Sequence, residues 1–329
     1  MILQTFATIF VSFRYIFRPS TWETTTVIVI VCPGQGSQTE GFLRPWVSEP
    51  RFRERFEALS DEIHVNLVAH GTTSNSETLR DTAIAQPLIA AASIVVAEAL
   101  FDESRDRLVG GIAGHSVGEI AAAVGAGILS ANDAMRFVHA RGTAMARVSA
   151  ETHTGMSAVV GANEAHLIEV LNRLDLEVAN FNGAGQIVVA GRVAALDRLA
   201  SNLPVGSRVI PLVVAGAFHS RFMTPATEVL REFSHQLTIS DPNMTIWTNR
   251  DGSVVTSGSA FVDLMVGQVS SAVRWDLCMS AFSAAGITGL IEVTPAGVLT
   301  GLSRRALKGV PAVAVKTPAD LEAAIALFN

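Results

Sequence analysis

The sequence predicts an α/β chain in which a large, mostly parallel sheet covered by helices is interrupted by a small βαββαβ unit. Three observations carry this expectation. Short apolar runs alternate with helical patterns over the first 150 residues, and that alternation implies parallel strands joined by crossover helices. Between residues 153 and 214 the order changes to strand, helix, two strands, helix, strand. The composition suits a buried sheet, with 49% hydrophobic residues, 16% charged residues and 26 glycines in 329.

Taken in order, "VIVIV" (27–31) reads as a buried β-branched strand ending in the Pro-Gly loop "CPGQGSQ". Residues 50–69 and 84–101 read as helices, with Gln86-Pro87 at the start of the second. "RLVGGIAGHS" (107–116) is a second strand, and "VGEIAAAVGAGIL" a helix whose small residues allow close packing. "SANDAMRFVHARGTAMARV" follows as a helix capped by Ser130 or Asn132. Then come the strand "GMSAVVGA", the helix "NEAHLIEVLNRL" and the strand pair "LEVANFNGAGQIVVAG" around a Gly-rich turn. "RVAALDRLASNL" reads as a second helix, and "SRVIPLVVAG" as a closing strand. This order is ferredoxin-like. The expected organisation is an α/β-hydrolase-like catalytic domain from 27–152 and 215–329, with a ferredoxin-like subdomain, 153–214, inserted into it. The junction is a natural cleft.

Charge and cysteine content exclude several functions. A formal charge of −6 gives no electrostatic case for nucleic acid, which needs clustered Lys and Arg. Cys32 and Cys278 lie far apart without metal-ligand spacing and read as small buried apolar residues, a usage that fits a reducing cytoplasm. The apolar start "MILQTFATIFVSFRYIF" is interrupted by Arg14 before membrane-spanning length and lacks a small-residue cleavage site. Three readings of the extension 1–26 stand: a membrane-contacting segment, a poorly ordered tail, or residues added by an upstream start codon. The last is the one expected. Elsewhere no apolar run reaches about 18 residues free of charge. A soluble cytoplasmic monomer, without membrane, metal or cofactor, is the expectation.

Gly114-His115-Ser116-Val117-Gly118 is a G-x-S-x-G pattern between strand and helix. It reads either as a plain tight turn or as a nucleophile elbow whose following helix offers free N–H groups to an oxyanion. A nucleophilic serine needs a base. His139 and His166 fall on amphipathic helices, where partnered or solvated histidines are usual. His115 adjoins Ser116 and its side chain points away, supporting the turn. His219 follows the apolar run "PLVVAGAF", at a strand mouth near the cleft. A hydrolase of this type places Asp or Glu between Ser and a His near the chain end. Here no post-strand Asp intervenes and more than 100 residues follow His219. A Ser116–His219 pair without a carboxylate is the simpler inference.

Several motifs occurring in order resemble one family. They are "PGQGSQ" (33–38), "GHSVGE" (114–119), "RGTAM" (141–145), "NFNGAGQIVVAG" (180–191), "GAFHS" (216–220), "GQVSSAVRW" (267–275) and "EVTPAGVLTGLSRR" (292–305). Over about residues 27–315 the chain is similar to the malonyl-CoA:acyl-carrier-protein transacylases and the acyltransferase domains of fatty-acid and polyketide synthases. The resemblance implies that Ser116 attacks malonyl-CoA with His219 as base, and that backbone N–H groups of Gln35 and Val117 form the oxyanion hole. It implies that Arg141 binds the malonyl carboxylate and that the Gln268 main-chain carbonyl orients His219. Met145, Asn180 and Asn182 are implied to line the substrate cleft. Phe218, before the histidine, is associated with malonyl over methylmalonyl substrates. The chain departs from the family at Thr294, Ala296 and Cys32, positions that touch packing rather than the acyl site.

The implied partners are malonyl-CoA and an acidic acyl carrier protein. Arg304, Arg305 and Lys308 form either its basic docking patch or a solvated helix end. The expected role is malonyl supply to fatty-acid synthesis. A polyketide carrier, a serine hydrolase and an inactive carrier-binding scaffold are the alternatives.

Overall fold

The computed structural model describes residues 26–103 and 109–328. The extension assigned to 1–26 therefore lies outside the described residues, apart from Thr26. Among the described residues ten strands follow the chain: β1 (Ile28–Cys32), β2 (Val109–Gly114), β3 (Thr154–Val160), β4 (Glu177–Gly183), β5 (Gln186–Arg192), β6 (Arg208–Pro211), β7 (Ile246–Trp247), β8 (Val273–Arg274), β9 (Gly289–Glu292) and β10 (Ala312–Ala314). One sheet has the order β10-β9-β1-β2-β7, and every pair in it is parallel.

A parallel sheet must be covered on both faces, which is why its strands read as continuous apolar runs. Ile28, Ile30 and Cys32 of β1 pack in the core that contains the helices Thr82–Glu103 and Ala131–Glu151. Val29 and Val31 pack in the opposite core, with Trp275, Phe282, Leu299 and Leu302. The helix Thr82–Glu103 is long and apolar enough to cross a membrane, yet it is buried inside the protein. Its lack of a polar face marks a core helix.

The second sheet has the order β6-β3-β5-β4-β8. The pairs β3–β5, β3–β6 and β4–β5 are antiparallel, and β8 joins β4 in parallel. The helix Glu164–Leu174 lays Leu167, Val170 and Leu171 against Val159, Ile187 and Val189 of this sheet. Because β8 comes from residues 273–274, the second sheet also takes a strand from the chain beyond residue 214.

Four elements differ from expectation. The helix expected over 50–69 ends at Ile63, where His64 adopts the left-handed conformation, and a separate helix Leu67–Thr73 starts at Asn66. The Asn66 side chain accepts from the Ala69 N–H, which fixes that restart. The helix expected from residue 84 begins at Thr82, because Asp81 accepts from the Ala83 N–H, and so Pro87 lies inside it. The helix expected from "RVAALDRLASNL" shrinks to Val193–Leu196 and a 3₁₀ turn, Ala200–Asn202. Ser201 and Asn202 side chains both donate to the Arg198 carbonyl, competing with helical bonding. The closing strand stops at Pro211, after which Val214 N–H bonds back to the Leu212 carbonyl in a tight turn.

Candidate active site

β2 ends at Gly114, and the helix Gly118–Gly125 begins two residues after Ser116. Ser116 has φ 54°, a left-handed conformation that strains a residue with a side chain. Neighbouring groups hold it there. The Ser116 N–H donates to Asn249 Oδ1 at 2.7 Å, and Asn249 Nδ2 donates to the Gly114 carbonyl at 2.6 Å. Both glycines of the motif are forced by crowding: a Cβ at Gly114 would lie 2.0 Å from the Gly118 carbonyl carbon, and one at Gly118 would lie 2.1 Å from the Cys32 oxygen. The turn thus projects the hydroxyl at the strand end.

Ser116 Oγ lies 2.7 Å from His219 Nε2, and His219 Nδ1 lies 2.8 Å from the Gln268 main-chain carbonyl oxygen. A carbonyl can only accept, so Nδ1 carries the hydrogen and Nε2 is left to accept the serine proton. His219 does not sit at a strand mouth as expected. It lies in the turn after the shortened β6, at φ 59°, with its N–H bonded to the Val269 carbonyl. Burial, then the Arg141 charge and more weakly His115, push its imidazole down to about 3 against the carbonyls of Gln268 and Ser271. The ring is therefore neutral, a ready base, at physiological pH.

Arg141 projects from the helix Ala131–Glu151 and is 1% exposed. One terminal nitrogen donates to Gln86 Oε1 at 2.6 Å; the other donates to Gln268 Oε1 at 3.1 Å and approaches Ser116 Oγ at 3.5 Å. Burial lowers the guanidinium to about 10, with Glu119 opposing, so it stays charged near neutrality. Among the described residues no carboxylate forms an ion pair with it. Its hydrogen-bond partners are neutral groups, so the buried charge is left without a counter-charge in direct contact among the described residues.

A cavity of about 420 Å³ opens over these groups. Gln35, Ser116, Met145, Asn180, Asn182, Phe218 and His219 line it, while Val117, Arg141 and Gln268 lie in the wall behind. Asn182 Oδ1 is 3.1 Å from His115 Nε2, so His115 faces the cleft and is held there. Its ring is lowered by burial and is neutral as well. In the Gly-rich loop the Ser37 hydroxyl donates to the Gly34 carbonyl and Gln38 Oε1 accepts the Gly36 N–H. The Gln35 and Val117 N–H groups have no acceptor among the described residues. Among those residues, no group of three His, Cys, Asp or Glu side chains is placed to hold a metal ion.

Three polar residues of the site were not expected from sequence. Gln86, a buried polar side chain in the largely apolar helix Thr82–Glu103, lines the cavity and holds Arg141. Glu119, 1% exposed, accepts from the Asn249 N–H at 2.6 Å and from Gln268 Nε2 at 2.5 Å. Asn249 follows a two-residue strand and carries no sequence signal. The burial of Gln86 in an otherwise apolar run and the position of Glu119 inside "GHSVGE" were the available clues.

The model of the acyl transferase domain matches residues 29–321. The malonyl CoA-acyl carrier protein transacylase of Mycobacterium tuberculosis is 45% identical over 300 residues, covering 90% of this chain and 98% of the relative. That of Escherichia coli K12 is 31% identical over 309 residues, covering 92% and 100%. Among solved structures, the M. tuberculosis enzyme superimposes with a TM-score of 0.88 at 44% identity, over 92% of this chain and 100% of the other. A malonyl-transacylase in complex with its type II polyketide acyl carrier protein gives 0.85 at 29% identity, over 92% and 99%. The chain therefore belongs to the acyl transferase domain family and, within it, to the malonyl-CoA:acyl carrier protein transacylases.

Proposed function

We propose that this enzyme transfers malonyl from malonyl-CoA to the phosphopantetheine thiol of an acyl carrier protein, through a malonyl ester on Ser116. The observation that carries this reading is a buried Arg141 cation, in no ion pair among the described residues, beside a hydrogen-bonded Ser116–His219 pair. The acyl carboxylate pairs with Arg141 and brings the thioester carbon to Ser116 Oγ. His219 Nε2 takes the hydroxyl proton as the O–C bond forms, and the oxyanion is held by the Gln35 and Val117 N–H groups. The C–S bond then breaks and the CoA sulfur takes the proton from His219. In the second half His219 deprotonates the carrier thiol, which attacks the ester and restores Ser116. Each step closes on protein groups and substrate alone.

The Gln268 carbonyl fixes the His219 tautomer in place of a carboxylate. Phe218 and Met145 bound the acyl pocket, with Asn180 and Asn182 in its wall. We assign residues 153–214 as a ferredoxin-like subdomain inserted in the large domain, which the strand order β6-β3-β5-β4 supports. The helix Val298–Ala306 contributes Val298, Leu299 and Leu302 to the cavity, and exposed Arg304, Arg305 and Lys308 lie at and beyond its end. That placement favours them as the docking patch for an acidic carrier. The free, buried Cys32 and Cys278 suit a reducing, cytoplasmic setting. Malonyl supply to fatty-acid synthesis is the primary reading; a polyketide carrier is the second, favoured by the likeness to a transacylase solved with one.

Incubation with malonyl-CoA is expected to add one malonyl group, located on Ser116 by peptide mass analysis. An unmodified protein, or an adduct elsewhere, refutes the reading. For the base, His219→Ala is expected to lower transfer by about 10² to 10⁴. Because its imidazole is depressed, the wild-type kcat/KM should show no acid-side loss near pH 6.5; on the acid side it falls only as pH drops toward the lowered value. A pH–rate profile with an inflection at 6.5 would contradict that assignment.

A further inference from the structure

Arg141 and Glu119 are the two charged side chains buried at 1% exposure beside the nucleophile, and one carboxamide joins them. Gln268 Oε1 accepts from Arg141 at 3.1 Å, and Gln268 Nε2 donates to Glu119 Oε2 at 2.5 Å. An amide is short, so the bridge fixes cation and carboxylate within a few ångströms, in surroundings where charges act strongly on each other. The two differ in access. Arg141 reaches Ser116 Oγ, whereas Glu119 faces away from the acyl cavity, toward a cavity of about 20 Å³ bordered by Thr248, Asn249 and Arg250. That volume holds about one water molecule. That cavity lies on the side of Glu119 remote from the acyl pocket.

We propose that Glu119 is a specificity-determining residue that acts through Gln268 on Arg141: its charge sets how strongly the guanidinium holds the acyl carboxylate. The proposal rests on the malonyl-transfer reading of the Ser116 site. When Glu119 is neutral, Arg141 presents an undiminished positive charge and grips malonyl tightly. When Glu119 is ionised, the bridge carries a compensating negative charge and the grip loosens, which eases release of the acyl group toward the carrier thiol. Neutral acyl groups have no carboxylate and do not feel the difference.

The groups around Glu119 are consistent with a carboxyl that changes charge near neutral pH. Burial raises it, to about 8; the Asn249 N–H, the Thr248 hydroxyl and Arg141 oppose that rise. Cys278, on the helix Trp275–Ala284, also feels the Glu119 charge but stays a thiol, because burial drives it far up. Arg250 borders the small cavity as a further positive charge. On the cleft side burial lowers both histidines, His219 to about 3 and His115 below its ordinary value, so both shift away from the alkaline part of the window.

The test is the pH dependence of the KM for malonyl-CoA between pH 6.5 and 9. It is measured on the full chain for wild type, Glu119→Gln and Arg141→Ala, with acetyl-CoA as the neutral donor. In wild type the malonyl-CoA KM should rise about tenfold as Glu119 ionises, the effect of a coupling worth one pKa unit. In Glu119→Gln, a neutral isostere, it should stay within about twofold of the wild-type value at low pH. Acetyl-CoA kinetics should follow neither trend, and Arg141→Ala should abolish the pH dependence. Superimposable wild-type and Glu119→Gln curves overturn the proposal, as does an equal change for both donors. If Glu119→Gln does not fold, the wild type decides alone: a malonyl-to-acetyl KM ratio independent of pH overturns it. Failure of wild type to accept malonyl at any pH refutes the transfer reading instead, so the two failures are told apart.

Discussion

Ser116→Ala is expected to abolish acyl-enzyme formation while leaving the protein folded. Alanine keeps the Cβ, so the strain at φ 54° is nearly unchanged, and the Ser116 N–H to Asn249 bond involves only backbone on the residue-116 side. The substitution removes one oxygen. His219 then has no hydroxyl at 2.7 Å, and among the described residues no other hydroxyl or thiol lines the cavity to replace it. Intact mass after exposure to malonyl-CoA reads the result directly, with a thermal melt to verify folding. A malonyl adduct that persists in the Ser116→Ala protein would move the nucleophile elsewhere.

Arg141→Ala is expected to reduce malonyl transfer by about 3–5 kcal/mol, the range for breaking a buried ion pair. That corresponds to a fall of roughly 10² to 10⁴ in kcat/KM. Enclosing the malonyl carboxylate without a cation is unfavourable, whereas an acetyl group brings no charge. The ratio of malonyl to acetyl kcat/KM is the diagnostic quantity. Arg141 also holds Gln268, whose carbonyl orients His219, so a modest common loss for both donors is built into the geometry. The ratio removes that common part. Equal losses for both donors would reduce Arg141 to a structural support.

Sequence and structure divide the credit along physical lines. The parallel sheet was legible because strands covered on both faces must be apolar throughout, as Ile28–Cys32 is. The Ser116 elbow was legible because crossing backbones exclude every side chain at Gly114 and Gly118, which leaves a local, readable pattern. Helix caps were read less well: Asn66 and Asp81 start helices by single side-chain bonds, and such bonds shift boundaries without altering apolar periodicity. The short 3₁₀ turn at Ala200–Asn202 was missed for a similar reason, since Ser201 and Asn202 act on one carbonyl that periodicity does not register.

By itself, then, the sequence determined the alternation of strand and helix, the strained serine turn, and the ordered motifs that tie the chain to its family. All of these depend on neighbours along the chain. Only the tertiary structure decided which groups meet at the serine. His219 is 103 residues from Ser116, Gln268 is 127 from Arg141, and Asn249 is 133 from Ser116. Contacts across such separations depend on how the sheets, turns and helices pack. The same packing put Glu119 at one end of the Gln268 carboxamide and Arg141 at the other, a pairing with no local pattern, because hydrogen bonds through a folded core leave no periodicity in the chain.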